Sequence, residues 1–220
     1  MYTARALNNL GRRTSQLRQG HSHAERVLST GDSLSAEVLA THRASVFVLL
    51  AAAVEVFVRE FVEDVLHELN RRSIRCDMLQ PSLLTMLTSP DFDSLRSIGG
   101  LGMWHKRVGV LGAVFSAVPA QFSLTVRPHD GRTIRPRHLD AIWAVFSFPR
   151  TPLANKAHGL ALTELAATRN DIAHGHVDPV SFGRKKTSND VSRAIDRVDD
   201  IAVEMEIAAD EYFTKALYLR

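Results

Sequence analysis

Cysteine is nearly absent from this chain, because Cys76 is the only one among 220 residues. A single cysteine excludes an intrachain disulfide framework and a zinc site built from several cysteines. Signals for export are lacking too, since the N-terminal residues have no apolar core of the kind that a secretory signal needs. The longest apolar run, residues 44–58, is interrupted by Glu55. As a helix it would span about 22 Å, less than the roughly 30 Å of a bilayer core. We therefore expect a cytoplasmic protein with no membrane partner.

An excess of charge of one sign is also lacking. Lys and Arg number 27 against 24 Asp and Glu, which leaves a net charge of +3. A balance this mildly basic does not by itself indicate a polyanionic partner. With 45% hydrophobic and 23% charged residues the composition is that of a folded domain, not of a disordered chain. No repeat, low-complexity run or domain boundary is visible, so we expect one domain over residues 1–220.

Hydrophobic periodicity predicts long helices on both sides of an irregular middle. We predict four of them, at residues 2–28, 35–72, 151–174 and 189–219. The second is apolar nearly all round in its first half, which is typical of a central, buried helix. The third would begin at Thr151 and Pro152, a cap followed by proline, and end at Gly175. The last carries apolar residues at steps of four and three, as a bundle helix does.

The middle of the chain, residues 73–150, is interrupted by six prolines. We predict short helices near residues 81–88, 91–98 and 138–146, a loop at the glycines of 99–102 and a small hairpin turning at Asp130 and Gly131. Residues 178–188 are predicted to be a second loop. The fold class that follows is an all-α helical bundle with long helices and an irregular, partly loop-rich insertion at about 73–150.

The chemistry concentrates at the end of the third predicted helix. Arg169 lies four residues after Leu165 and three before Ile172, so it falls on the apolar stripe of that helix. An arginine there must be paired, reach a cavity or line an interface. Asn170 and His174 are four apart and share the neighbouring face. One helix end therefore presents a guanidinium, an amide and an imidazole side by side.

These three side chains suit a phosphodiester. Arginine can bind a phosphate through two oxygens, and histidine can take a proton from a ribose 2′-hydroxyl or give one to the leaving 5′-oxygen. A bland alternative stays open, in which Arg169 neutralises a buried carboxylate such as Glu55 and His174 only caps the helix. No carboxylate and histidine pattern is typical of a metal site, so we expect neither a metal nor another cofactor.

The segment Thr-Arg-Asn-Asp-Ile-Ala-His-Gly at 168–175 resembles the HEPN superfamily. The signature of that superfamily is Arg, four to six residues and then His, with a polar residue after the Arg, which Arg169, Asn170 and His174 match. The spacing also occurs from Arg18 to His23 and from Arg132 to His138, but Gly20 and Pro136 interrupt those two copies. The resemblance includes the long helices on either side, and the closest subgroup is the RiboL-PSP-HEPN type.

The resemblance implies a dimeric helical bundle with a metal-independent endoribonuclease site at the homodimer interface. Many members act in toxin–antitoxin or antiviral defence systems, and others have lost activity and only bind. We therefore expect an RNA-cleaving toxin or defence protein with RNA as substrate and an antitoxin or another neighbouring-gene product as a possible partner. The alternatives are an inactive HEPN module that binds a partner protein or a nucleotide, and a helical protein without a ligand.

Five further residues are candidates for supporting roles. Glu55 would pair with Arg169, pair with another basic residue or be protonated, since a lone buried carboxylate is costly. His176 would be a second site histidine, because its spacing from Arg169 also fits the signature, or a loop residue. Arg184, Lys185 and Lys186 would contact the RNA backbone or be only solvated.

Overall fold

A computed structural model of the protein describes residues 2–95, 97–128 and 133–220. These residues form nine α-helices and no strands beyond two isolated bridges, which confirms the all-α class. The helices are α1 (Ala4–Leu28), α2 (Ser33–Arg71), α3 (Pro81–Leu87), α4 (Ser89–Leu95), α5 (Gly100–Val114), α6 (Pro136–Phe146), α7 (Lys156–Ala173), α8 (Pro179–Arg184) and α9 (Ser188–Thr214). No helix among the described residues is long and apolar enough to cross a membrane.

Helix α2 is the centre of the bundle. Its start is capped by Asp32, whose carboxylate accepts the backbone N–H of Ser35 at 2.9 Å. Its buried side chains cover most of its circumference, so neighbours must surround it. Helices α1, α7, α8 and α9 all pack against it. The prediction of a central second helix is confirmed, but its first half, predicted to be buried, leaves Leu34, Val38 and Leu49 exposed.

Helix α9 closes the bundle with the apolar seam that the sequence predicted. The buried seam residues are Val191, Ile195, Val198, Ala202, Met205, Ala209 and Tyr212. The helix ends at Thr214, five residues before the predicted end at 219. Near that end the Tyr212 ring lies 4.9 Å from the ring of Phe148, which follows α6. This contact anchors the C-terminal end of the predicted insertion in the main core.

Four predictions of local structure were wrong. Helix α7 begins at Lys156 and not at Thr151, because the Asn155 side chain accepts the backbone N–H of Ala157 at 2.9 Å and forms the cap there. The loop predicted at residues 99–102 instead opens α5, and the loop predicted at 178–188 contains α8. The first strand of the predicted hairpin does not form, because residues 122–126 are irregular. The predicted turn at Asp130 and Gly131 lies outside the described residues.

Helix α8 packs so closely on α2 that only glycine fits at one position. A Cβ atom on Gly183 would lie 1.8 Å from the backbone oxygen of Ala40 and 2.4 Å from its carbonyl carbon. Backbone atoms cannot rotate away as a side chain would, so any larger residue must separate the two helices. The close approach explains why a six-residue helix can occupy this position.

We expect Gly183→Ala to destabilise the protein by about 3 kcal/mol or more, because its methyl group overlaps the backbone of α2. Gly20→Ala in α1 is the matched control. Its Cβ would meet nothing within 4 Å, so it should stabilise the helix by about 0.5–1 kcal/mol. Urea unfolding followed by circular dichroism measures both changes. Equal stabilities of the two variants would contradict the packing of α8 on α2.

Candidate active site

Helix α7 ends within the predicted motif. Ala173 is the last helical residue and His174 is the cap, with its backbone N–H donating to the Asn170 carbonyl oxygen at 3.0 Å. Gly175 follows at φ +71°, a left-handed conformation that glycine adopts without steric cost. The backbone N–H of His176 then returns to the carbonyl oxygen of Asp171 at 2.8 Å. The helix ends at this turn, and the His174 side chain is exposed.

A cavity of about 550 Å³ opens beside this helix end. It is lined by Glu55, Thr133, Arg135, Arg137, His138, Arg169, Asn170 and His174. The three predicted catalytic residues and Glu55 therefore share one cavity, although α2 and α7 are about 100 residues apart in the chain. A cavity of this volume is of the size that takes a small molecule or part of a chain rather than a single ion.

Arg169 has no carboxylate partner among the described residues. Its Nη1 atom lies 3.3 Å from Oδ1 of Asn170, the next residue along the chain. Glu55 lines the same cavity, yet its Oε1 is buried and has no hydrogen-bond partner in the described part of the chain. No ion pair joins Glu55 and Arg169, so the alternative in which these two residues neutralise each other has no contact to support it. Both side chains are left available to a ligand.

Asn170 connects α7 to the predicted insertion. Its Oδ1 accepts from Arg169 Nη1 and from the Thr133 hydroxyl, each at 3.3 Å. Thr133 is buried, so the amide oxygen is held from two sides. The side chain of Asn170 therefore orients the guanidinium of Arg169 and makes no side-chain hydrogen bond to His174.

Another wall of the cavity comes from residues to which the sequence analysis assigned no role, although His138 ends one of the two interrupted copies of the signature spacing. Arg135, Arg137 and His138 lie at the start of α6, where Pro136 is the first helical residue. The signal was visible as Arg-Pro-Arg-His, a cluster of cations around an N-terminal helix proline. The sequence does not show that α6 lies beside α7, so this cluster could not be assigned to the site from the sequence.

The remaining candidates lie outside the cavity. His176 is exposed, with its ring centroid 5.9 Å from that of His174, and it does not line the cavity. Arg184 donates to Glu37 at 3.0 Å, and Lys186 bonds to Glu164 and lies over the ring of Phe182. Lys185 is exposed. Two of the three cations proposed to contact RNA are thus already engaged within the chain.

The family comparison agrees with the motif. The family model described as HEPN_MAE_28990-like HEPN matches residues 5–215, nearly the whole chain. This match confirms the resemblance to the HEPN superfamily, in a subgroup different from the RiboL-PSP-HEPN type that the motif suggested. No curated protein and no solved structure gives a significant match.

We expect Arg169→Ala to leave the thermal midpoint within about 1 °C of the parent, because the guanidinium has no carboxylate partner to lose. Arg43→Ala is the control. Arg43 donates to both oxygens of Glu25, at 2.7 and 2.9 Å, and these bonds hold the pKa of Glu25 below its usual range. Its loss should cost about 1–3 kcal/mol and lower the midpoint by several degrees in calorimetry. A midpoint drop in Arg169→Ala as large as in Arg43→Ala would restore the ion-pair interpretation.

Proposed function

The chain belongs to the HEPN_MAE_28990-like HEPN family, and we propose that it is a metal-independent endoribonuclease whose complete site forms in a homodimer. One observation carries the proposal. Arg169, Asn170, His174 and Glu55 line one cavity with no ion pair among them, so the guanidinium and the imidazole are free for a phosphodiester. We place this activity in the cytoplasm, as an RNA-cleaving toxin or an antiviral defence enzyme with an antitoxin as a possible partner.

The proposed reaction is transesterification within the RNA. The ribose 2′-oxygen attacks phosphorus, the bond from phosphorus to the 5′-oxygen breaks, and the products are a 2′,3′-cyclic phosphate and a 5′-hydroxyl. His174 moves a proton, either from the attacking 2′-hydroxyl or to the leaving 5′-oxygen. Arg169 binds the non-bridging oxygens and stabilises the charge that develops on them, while Asn170 holds the guanidinium in place.

The second proton transfer requires a second group. One imidazole does not accept and donate a proton in the same step, and His174 is the exposed one of the two described histidines that line the cavity. A two-fold axis near His174 would bring that residue of each copy to one phosphodiester. His176 stands close to His174 on the same turn but outside the cavity, so we give it a supporting role only.

A second function, that of a non-catalytic module binding a partner protein, is favoured by one feature of α5. Its large apolar side chains are exposed at helical spacing, as Leu101, Trp104, Val108 and Leu111 show. A solvent-facing apolar stripe of this kind is typical of a surface that another protein covers. An antitoxin is one protein that could cover this stripe. The stripe therefore supports the binding of a partner protein whether or not the chain cleaves RNA.

Replacing His174 with Ala should lower the rate of RNA cleavage about 10²- to 10⁴-fold, since general acid–base groups typically contribute that much. The helical circular dichroism should be unchanged because the side chain is exposed. Cleavage of a labelled single-stranded RNA, assayed with and without EDTA, gives the rate and tests the independence from metals. His23→Ala on α1, another exposed histidine, is the control and should cleave at the parent's rate.

Two results would contradict the assignment. A His174→Ala variant that cleaves at the parent's rate would remove the proposed role of the imidazole. Cleavage that EDTA abolishes and added Mg²⁺ restores would indicate a metal-dependent nuclease instead.

We expect light scattering at micromolar concentration to give the mass of a dimer, about twice 24.4 kDa. In a Cys76→Ser background, Ala173→Cys places a thiol next to His174, and a short bis-maleimide should link two copies if their cavities face each other. Ser22→Cys on α1 is the matched exposed control and should link few chains. A monomeric mass, or equal linking of both variants, would oppose a shared site.

A further inference from the structure

The α6 wall of the cavity carries two arginines that the proposed chemistry leaves without a role. Arg135 is the cap residue of α6 and Arg137 is the second residue of the helix. Both side chains line the cavity, both residues are exposed, and neither has a carboxylate within 4 Å among the described residues. Two other described arginines near α6 in the sequence are paired, Arg127 with Glu63 at 2.7 Å and Arg150 with Glu211 at 3.1 Å.

His138 holds this wall in position. The residue is buried, and its Nδ1 accepts the backbone N–H of Arg135 at 3.0 Å. Nε of Arg137 lies 3.4 Å from the other ring nitrogen. The imidazole thus contacts the backbone of one arginine and the side chain of the other, which fixes both relative to α6. His138 is therefore a positioning residue for the two guanidiniums.

The charges in the cavity favour an anion with more than one negative group. Among the described residues that line it, Arg135, Arg137 and Arg169 bring three guanidiniums to one space, against one carboxylate, that of Glu55. Arginine stays protonated even when it is crowded, so the repulsion among the three is relieved by a bound anion and not by loss of a proton. Arg169 and His174 suffice for the scissile phosphate, and the cavity of about 550 Å³ has room for more than that group.

We propose that Arg135 and Arg137 bind the phosphate next to the scissile one in a single-stranded RNA. The start of α6 would then form the half of the site that holds the RNA chain, opposite the half on α7 that cleaves it. The link from Thr133 to Asn170 joins the two halves. This inference rests on the proposed function for its substrate, and it predicts that the enzyme distinguishes an RNA with a neighbouring phosphate from a dinucleotide without one.

The inference is tested by measuring how tightly the protein binds RNA. All variants carry His174→Ala, so that the RNA is not cleaved during the measurement. Fluorescence anisotropy of a labelled single-stranded RNA octamer, taken over a range of salt concentrations, gives the slope of log affinity against log salt. Each phosphate contact to a single strand contributes about 0.7 to that slope. Arg135 and Arg137 are proposed to bind one phosphate, so adding Arg135→Gln and Arg137→Gln together should reduce the slope by about 0.7 and weaken binding about tenfold or more at low salt.

The matched control is Arg12→Gln with Arg26→Gln on α1, which removes the same charge from two exposed arginines outside the cavity. It should leave the slope within about 0.3 of the parent. A methylphosphonate scan of the RNA then locates the contact. Neutralising the phosphate next to the cleavage position should weaken binding to the parent but not to the double variant. If the double variant is not folded by circular dichroism, Arg137→Gln alone should weaken binding severalfold at low salt, while Arg12→Gln alone should not.

Equal slopes for the cavity variant and the α1 control would overturn the inference, and so would a methylphosphonate penalty that both proteins share. The nuclease proposal is judged separately, by cleavage with the protein that retains His174. RNA cleavage by that protein together with unchanged slopes would overturn only the role of Arg135 and Arg137. Lack of cleavage together with the expected slopes would overturn the nuclease and leave an RNA-binding site.

Discussion

The packing of four helices around α2 is the constraint from which the rest of the architecture follows. Buried apolar residues cover most of the circumference of α2, and α1, α7, α8 and α9 pack against them, while Leu34, Val38 and Leu49 stay exposed. The close approach of α8, with Gly183 against the backbone of Ala40, shows how tightly this enclosure is made. Enclosure of α2 by α7 is also what brings Glu55 and Arg169 to the same cavity.

The charges of the cavity are arranged differently from several half-buried charges elsewhere in the described part of the chain. Arg43 is paired with Glu25, and Arg72 with Glu68. In the cavity the guanidinium of Arg169 has only an amide oxygen as its neighbour, and Glu55 Oε1 is buried without a partner among the described residues. Polar groups left in this state cost stability unless a ligand satisfies them. That imbalance is the physical reason to regard the cavity as a functional site.

The predicted insertion contributes to this site. The aromatic residues that end α6 and follow it are packed in the core, with Phe148 against Tyr212 and against Trp143 at 5.1 Å. This packing fixes the axis of α6, and its N-terminal end then lies across the cavity from α7. A segment that interrupts the bundle in the sequence is therefore one wall of the cavity in the structure.

The sequence by itself determined the elements whose signal is local. The apolar circumference of α2, the four-and-three steps of α9 and the glycine that ends α7 each predict a structure from neighbouring residues. It also determined that Arg169, Asn170 and His174 lie close together, because five positions at one helix end separate the first from the last. The start of α7, the helices α5 and α8 and the wall with Arg135 and Arg137 were decided by tertiary structure. Glycine-rich and very short helices have little stability of their own, so whether they form depends on what they pack against. The start of α6 and the end of α7 meet at one cavity because both helices pack in the same core. The distance between them cannot be obtained from the sequence alone.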